Sequence, residues 1–211
     1  MNIHYTQEEI KQMDRIFRLN LINSCAGYKP ANLIATASTE KNTNVAVFNS
    51  VMHIGSNPPL LGFLMRPLTV PRDTYKNIKE TGYFTVNHIV SHMVEDAHHS
   101  SASYPEGVSE FNKTKLEEIY LDTFPAPYVK DSPVKIGCRY VNEYVIKENE
   151  TRLIIGQIEH LYIEEKLLTT EGSLKLDEAK VVAITGLDTY SEVQLLQRFA
   201  YARPDQETKT Y

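Results

Sequence analysis

The chain has 211 residues, of which 42% are hydrophobic and 23% charged, the balance of a soluble globular protein long enough to bury a substantial core. Its formal net charge of -5 leaves no footprint for a nucleic-acid partner. No apolar run approaches the roughly 18 residues of a membrane span. The first residues, MNIHYTQEEIKQMDRIF, are charged and lack the apolar centre of a secretory signal, so the cytoplasm is the expected compartment. Cys25 and Cys138 are far apart and form no C-x-x-C pair, which removes a thioredoxin-like motif and a zinc knuckle. Both are expected to be buried, reduced and structural.

In chain order, Thr6 and Glu9 have capping-box spacing, and Ile10, Met13, Ile16 and Phe17 follow at helical intervals, predicting an amphipathic helix over about 6–19. ANLIATAS (31–38) and VAVFNSVMHI (45–54) read as a hairpin through TEKNTN. GSNPP (55–59) is a bend that must leave the sheet, since Pro58 and Pro59 have no N–H to donate. LLGFLMR (60–66) is a buried strand. Residues 73–81 read as a helix, with Asp73 or Thr74 as N-cap and Gly82 as its stop. YFTVNHI (83–89) is a strand, residues 91–122 are helix and loop, and 134–148 and 151–165 form a long hairpin turning at Asn149–Glu150. EAKVVAIT (178–185) supplies one more strand. The tail, about 191–211, reads as a short helix ending before Pro204. Strands outnumber helices in a pattern that favours an antiparallel β-barrel in one domain, residues 1–211, over a parallel α/β sheet.

Two stretches carry candidate chemistry. In MRPLTVPRDTYKNIKE (65–80), Arg66 and Arg72 precede a helix start, with hydroxyls at Thr69 and Thr74 and an amide at Asn77. Unpaired N–H groups, hydroxyls and guanidinium groups together make an anion site, most simply for a phosphate. The alternative is a plain helix cap with solvated arginines. In FNSVMHIGSNPPLLGFLMRP (48–67), Asn49, Ser50 and His53, with the backbone of Val51 and Met52, put a polar edge beside an apolar floor. That is the environment of a flat, partly polar heterocycle. The alternative is a β-bulge with a satisfied, half-buried histidine.

Other constellations are weaker. His88 and His92 lie on different elements, and with His98 and His99 they make no H-E-x-x-H motif, so no metal is expected. Ser100, Ser101 and Ser103 lack a G-x-S-x-G elbow. Neither a dinucleotide-binding G-x-G-x-x-G nor a P-loop occurs.

NVAVFNSVMHIGSNPPLLGFLMRP, DTYKNIKETGYFTVNHI, SASYPEGVSEF and APYVKDSPVKIGCRY resemble, in order, the blocks of the flavin-reductase-like FMN-binding split-barrel proteins, a group that includes flavoredoxin. The resemblance runs from about residue 28 to residue 190. It implies a six-stranded antiparallel split barrel of Greek-key type with peripheral helices. It also implies a homodimer, and FMN bound without a covalent bond near the dimer interface. Carried over by position, Asn49, Ser50, Val51 and Met52 border the flavin ring and ribityl chain, with His53 and Ser56 close by. Arg66, Arg72, Thr74 and Asn77 lie on the phosphate side. Asn87, His88, Ser103 and Tyr104 are further contacts. His53, Arg66 and Arg72 do not follow the commonest family pattern.

The activity this implies is NAD(P)H-dependent flavin reduction, with hydride passing to flavin N5 and electrons passing on to an acceptor. The alternatives are a flavoredoxin-like carrier reduced by a protein partner, and a flavin-binding protein without turnover. No nucleic acid and no membrane is expected as a partner.

Overall fold

The computed structural model describes residues 1–211. The capping box forms: Thr6 N–H donates to Glu9 Oε2 at 2.7 Å, and Glu9 N–H donates to Thr6 Oγ1 at 3.3 Å, opening α1 (Gln7–Gln12). The helix expected over 6–19 nevertheless breaks at Met13, where ψ is 148°. A second helix, α2 (Arg15–Cys25), starts afresh. Asp14 causes the break. Its Oδ1 accepts from the N–H groups of Ile16 and Phe17 at 2.8 and 3.1 Å, an N-cap role that a mid-helix residue cannot play.

The remaining elements are β1 (Lys29–Pro30), β2 (Asn32–Ala37), β3 (Thr43–Phe48), β4 (Met52–Ser56), β5 (Pro59–Met65), α3 (Asp73–Thr81), β6 (Tyr83–His88), α4 (Val94–His99), β7 (Glu118–Ile119), β8 (Tyr128–Val129), β9 (Val134–Ile146), β10 (Thr151–Ile163), β11 (Val182–Thr185) and β12 (Thr189–Glu192). The hairpin of β9 and β10 and the helix α3 match the sequence reading, and Gly82 closes α3 at φ 78°. Three expectations change. The strand expected over 45–54 is two strands, because Asn49–Val51 leave the ladder. The bend expected over 55–59 narrows to Asn57 and Pro58, since Gly55 pairs with Leu60 and Ser56 with Pro59. Residues 91–122 hold the expected helix, α4, and loop, with the short strand β7 added. The tail forms β12 and then irregular chain with no helix.

The main sheet has seven strands, not six, in the order β3-β2-β6-β9-β10-β5-β4, and every pairing is antiparallel. It curls as a split barrel without closing. Its two edges, β3 and β4, are consecutive in the chain and are joined only by Asn49, Ser50 and Val51. Smaller sheets, β1-β11-β12 and β7-β8, share no ladder with it but pack on its outer side.

Side-chain alternation explains the core. All six residues of β2 are buried. Ile34 faces inward with Phe63, Phe84, Val86, Ile136 and Ile154, and Ile78 of α3 plugs that interior. Leu33 and Ala35 face outward, against Met93, Ala97, Phe111, Val182 and Ile184. Phe48, Phe63 and Phe84 stack edge to face at 5.1 and 5.4 Å. Gly156 makes room for this stack, since a Cβ there would lie 2.4 Å from Phe84 Cζ. Cys138 sits in the same interior, where burial pushes its thiol up to about 12. Cys25 is exposed, contrary to expectation, at the solvent-facing end of α2. No helix is long and apolar enough to cross a membrane.

Candidate functional site

The three residues joining the sheet's edges make an unpaired stretch of backbone. None of the N–H or C=O groups of Asn49, Ser50 and Val51 enters a backbone hydrogen bond. Side chains hold the stretch in place. Ser50 Oγ accepts from Leu64 N–H at 3.0 Å and donates to Leu64 C=O at 3.3 Å. Asn49 Nδ2 donates to Gly186 C=O at 2.9 Å. Val51 packs on the inner core, while Met52 is exposed at the rim. His53 is also exposed, its Nε2 3.4 Å from Ser56 Oγ.

Leu64 lies two residues before Arg66, so this clip brings the unpaired backbone beside the second candidate stretch. α3 begins there without a side-chain cap: Arg72, not Asp73 or Thr74, occupies the N-cap position, and its side chain caps nothing. The first-turn N–H groups of Asp73, Thr74 and Tyr75 find no backbone acceptor. Neither Arg66 nor Arg72 pairs with a carboxylate. Arg72 Nε is sealed from solvent with no hydrogen-bond partner. Burial lowers the pKa of Arg72, and the nearby Arg66 guanidinium lowers it further. Two unneutralised guanidinium groups thus add their charge to the positive end of a helix. A cavity of about 390 Å³ opens beside it, lined by residues 68–73 with Tyr75 and Lys76.

The other sequence candidates separate. Thr74 and Asn77 point inward: Asn44 and Thr74 bond side chain to side chain at 2.9 Å, and Asn77 Nδ2 donates to Thr36 Oγ1 at 3.0 Å. They seat α3 on the sheet. Asn87 faces away from Phe84 and Val86, where its amide donates to Leu33 C=O and Thr85 Oγ1 and accepts from Val129 N–H. His88 ends a row that crosses the sheet through Asn32 to Phe48, next to Asn49. Its Nδ1 is sealed without a partner, and burial pushes its pKa down to about 4. Ser103 is exposed, and Tyr104 packs edge-on to His99 with its hydroxyl sealed and unpartnered. The loop that follows is pinned to α3, Lys76 pairing with Glu106 at 3.1 Å and Gly107 N–H reaching Asp73 Oδ2 at 3.5 Å.

Sequence reading missed Tyr75, Glu143 and Arg152. Tyr75 lines the cavity, and its hydroxyl donates to Glu143 Oε1 at 3.0 Å. Arg152 pairs with the same oxygen at 2.9 Å and lies 5.6 Å from the Tyr75 ring centre. A register shift in the β9–β10 ladder next to Asn142 puts Glu143 opposite Ile154, on the side of the inner core. No pattern in the sequence marks that shift.

A family model for the flavin reductase like domain matches residues 28–176. The chain belongs to this family. A split-barrel protein of Shewanella frigidimarina assigned to the flavin reductases superposes with a TM-score of 0.92 at 39% identity, over 95% of this chain and 100% of that one. Flavoredoxin of Desulfovibrio vulgaris superposes at 0.69 with 21% identity over 85% and 92% of the two chains, a likeness of fold. The uncharacterized protein YwrF of Bacillus subtilis is 26% identical over 83% of this chain and 88% of its own length. A flavin is therefore the ligand class the family implies. The chain's own residues fit one. They offer an unpaired polar backbone edge over an apolar floor, and an orphaned Arg72 Nε beside a helix start without a cap.

Proposed function

We propose that the chain binds FMN without a covalent bond and works as an NAD(P)H-dependent flavin reductase. The observation that supports this reading is the unpaired backbone of Asn49–Val51, tied through Ser50 to Leu64 two residues before Arg66, whose guanidinium lies near the unneutralised Arg72 at the start of α3. Asn49, Ser50, Val51 and Met52 would border the ring, and Arg66, Arg72 and the first-turn N–H groups of α3 would hold the phosphate. Bound flavin supplies the capacity to take hydride from a reduced nicotinamide and to release electrons to an acceptor. The protein's part is to place donors along the ring's polar edge and to neutralise the phosphate. Fixing these donors beforehand costs the ligand little, because Ser50 and Asn49 already hold the backbone in place.

The test is anaerobic mixing of the flavin-loaded protein with NADH and, separately, NADPH. Loss of the flavin absorption band with either is the expected result, and no bleaching with both overturns the reductase reading. The exposed rim of Met52 and His53 favours a second reading, in which a protein partner delivers the electrons. Steady NAD(P)H oxidation with added free flavin separates the two: the reductase sustains it and the carrier does not.

A further inference from the structure

The cavity beside Arg72 is larger than a phosphate group needs. Its volume of about 390 Å³ lies in the range of sites that enclose a whole small ligand. Part of its wall is Tyr75, in the first turn of α3. The Tyr75 hydroxyl donates to Glu143, and the Arg152 guanidinium backs the ring at 5.6 Å from its centre. Arg152 also pairs with Glu143 at 2.9 Å, and Lys79 Nζ lies 3.7 Å from the other oxygen of that carboxylate. Groups from α3, β9 and β10 thus meet at one carboxylate, which fixes the Tyr75 ring before any ligand arrives. Burial, and next the Glu143 carboxylate, raise the pKa of Tyr75 and keep its hydroxyl a donor.

The apolar part of the lining comes from the loop between β5 and α3. Leu68 and Val70 expose their side chains there, at 38% and 50%, and Pro71 lines the cavity with them. Pro67 and Pro71 each fix a backbone angle, so a stiffened segment displays these apolar groups. Thr69 and Asp73 add a hydroxyl and a carboxylate. An aromatic face, aliphatic side chains and a few polar groups suit a flat ring with a polar edge. A purine is such a ring, and its exocyclic amino group needs an acceptor of the kind Asp73 offers.

We propose that this cavity seats the adenosine end of the reduced nicotinamide coenzyme, with its purine stacked on Tyr75 and flanked by Leu68, Val70 and Pro71. The proposal rests on the reductase reading and deepens it. A dinucleotide lying along FMN, with its nicotinamide against the flavin ring, brings its adenosine to the phosphate end, where Arg72 and the cavity are. Tyr75 is then the residue that distinguishes the whole dinucleotide from its nicotinamide half.

Two measurements on the FMN-loaded protein test it. The first is calorimetric titration with ADP-ribose, which has the adenosine end and no nicotinamide. ADP-ribose is expected to bind, and Tyr75→Ala to weaken it by about 5- to 150-fold, the effect of removing one base–aromatic stack. Tyr75→Phe keeps the ring and should stay within about threefold of the parent. Leu68→Ser with Val70→Ser alters exposed side chains only, so the fold is retained, and a loss of about tenfold is expected. The second measurement compares kcat/KM for the faster of NADH and NADPH with that for reduced nicotinamide mononucleotide. The parent should prefer the dinucleotide by about tenfold or more, and Tyr75→Ala should bring the ratio towards one. Failure of ADP-ribose to bind the parent overturns the proposal. So does Tyr75→Ala with an unchanged ADP-ribose affinity or an unchanged coenzyme ratio. A loss of FMN affinity as large as that of ADP-ribose in Tyr75→Ala also overturns it, because the ring on Tyr75 is then the flavin. ADP-ribose bound through Tyr75, with no bleaching by either coenzyme, keeps the adenosine site and overturns the reductase reading alone.

Discussion

Ser50 uses its single hydroxyl twice, once as donor and once as acceptor, on the two backbone groups of Leu64. The neighbouring peptide groups are thereby held in place and left free for a ligand. Arg72 is the complementary case, a guanidinium with a sealed and unpartnered Nε. Arg72→Ala is expected to weaken FMN by about 1.5–3 kcal/mol, roughly 10- to 150-fold, and riboflavin far less, since only FMN has the phosphate. Titrating both ligands by fluorescence checks this, and equal losses place Arg72 off the phosphate. His88 gives a pH dependence. Its folded pKa of about 4 lies below the ordinary value of 6.5, so the unfolded chain takes up the proton first as pH falls. Its contribution is therefore full above pH 6.5 and is lost progressively down to about pH 4. Urea unfolding should show a loss of about 2 kcal/mol from this group between pH 7 and pH 5. A His88→Gln variant should lack that part of the slope. Residue type and position mark Asn49, Ser50, Arg66 and Arg72 as candidates. The inward commitments of Thr74, Asn77 and Asn87 were not legible, because a polar side chain at a helix start or strand end reads the same whether it meets a ligand or a neighbouring strand.

At the scale of elements, α3 depends on both of its faces. Asn77 and Ile78 fasten it to the inner sheet, while its open first turn faces the cavity. β10 has the opposite demand, for closeness without a side chain. In Gly156→Ala the new methyl would meet Phe84 Cζ at 2.4 Å and Cε1 at 2.8 Å, and that ring is wedged against Phe63. A destabilisation of about 1–3 kcal/mol is expected, read as a lower urea midpoint at unchanged slope. Strand and helix periodicity revealed most elements, including α3 and the long hairpin. It failed where one local contact outweighed the pattern. Asp14 capping α2 split a helix whose apolar spacing continues unbroken. The tail has helical spacing in Val193, Leu196 and Phe199 but no surface of its own chain to bury them against.

Across the whole molecule, strand order was the part least legible in the sequence. Nothing local says that β6 inserts between β2 and β9, or that β3 and β4 end up as opposite margins of one sheet. Those placements come from burying both faces of β2 at once, one against the inner core and one against α4, β11 and the loops between. Sheet closure is the remaining freedom, and the chain limits it with a very short tether. From Phe48 to Met52 there are four steps of extended backbone, at most about 14 Å in all. The tether acts as a gauge on the width of the barrel's mouth. At Phe48 and Met52 the two walls cannot spread past that limit, whatever else changes on the molecule's outer face.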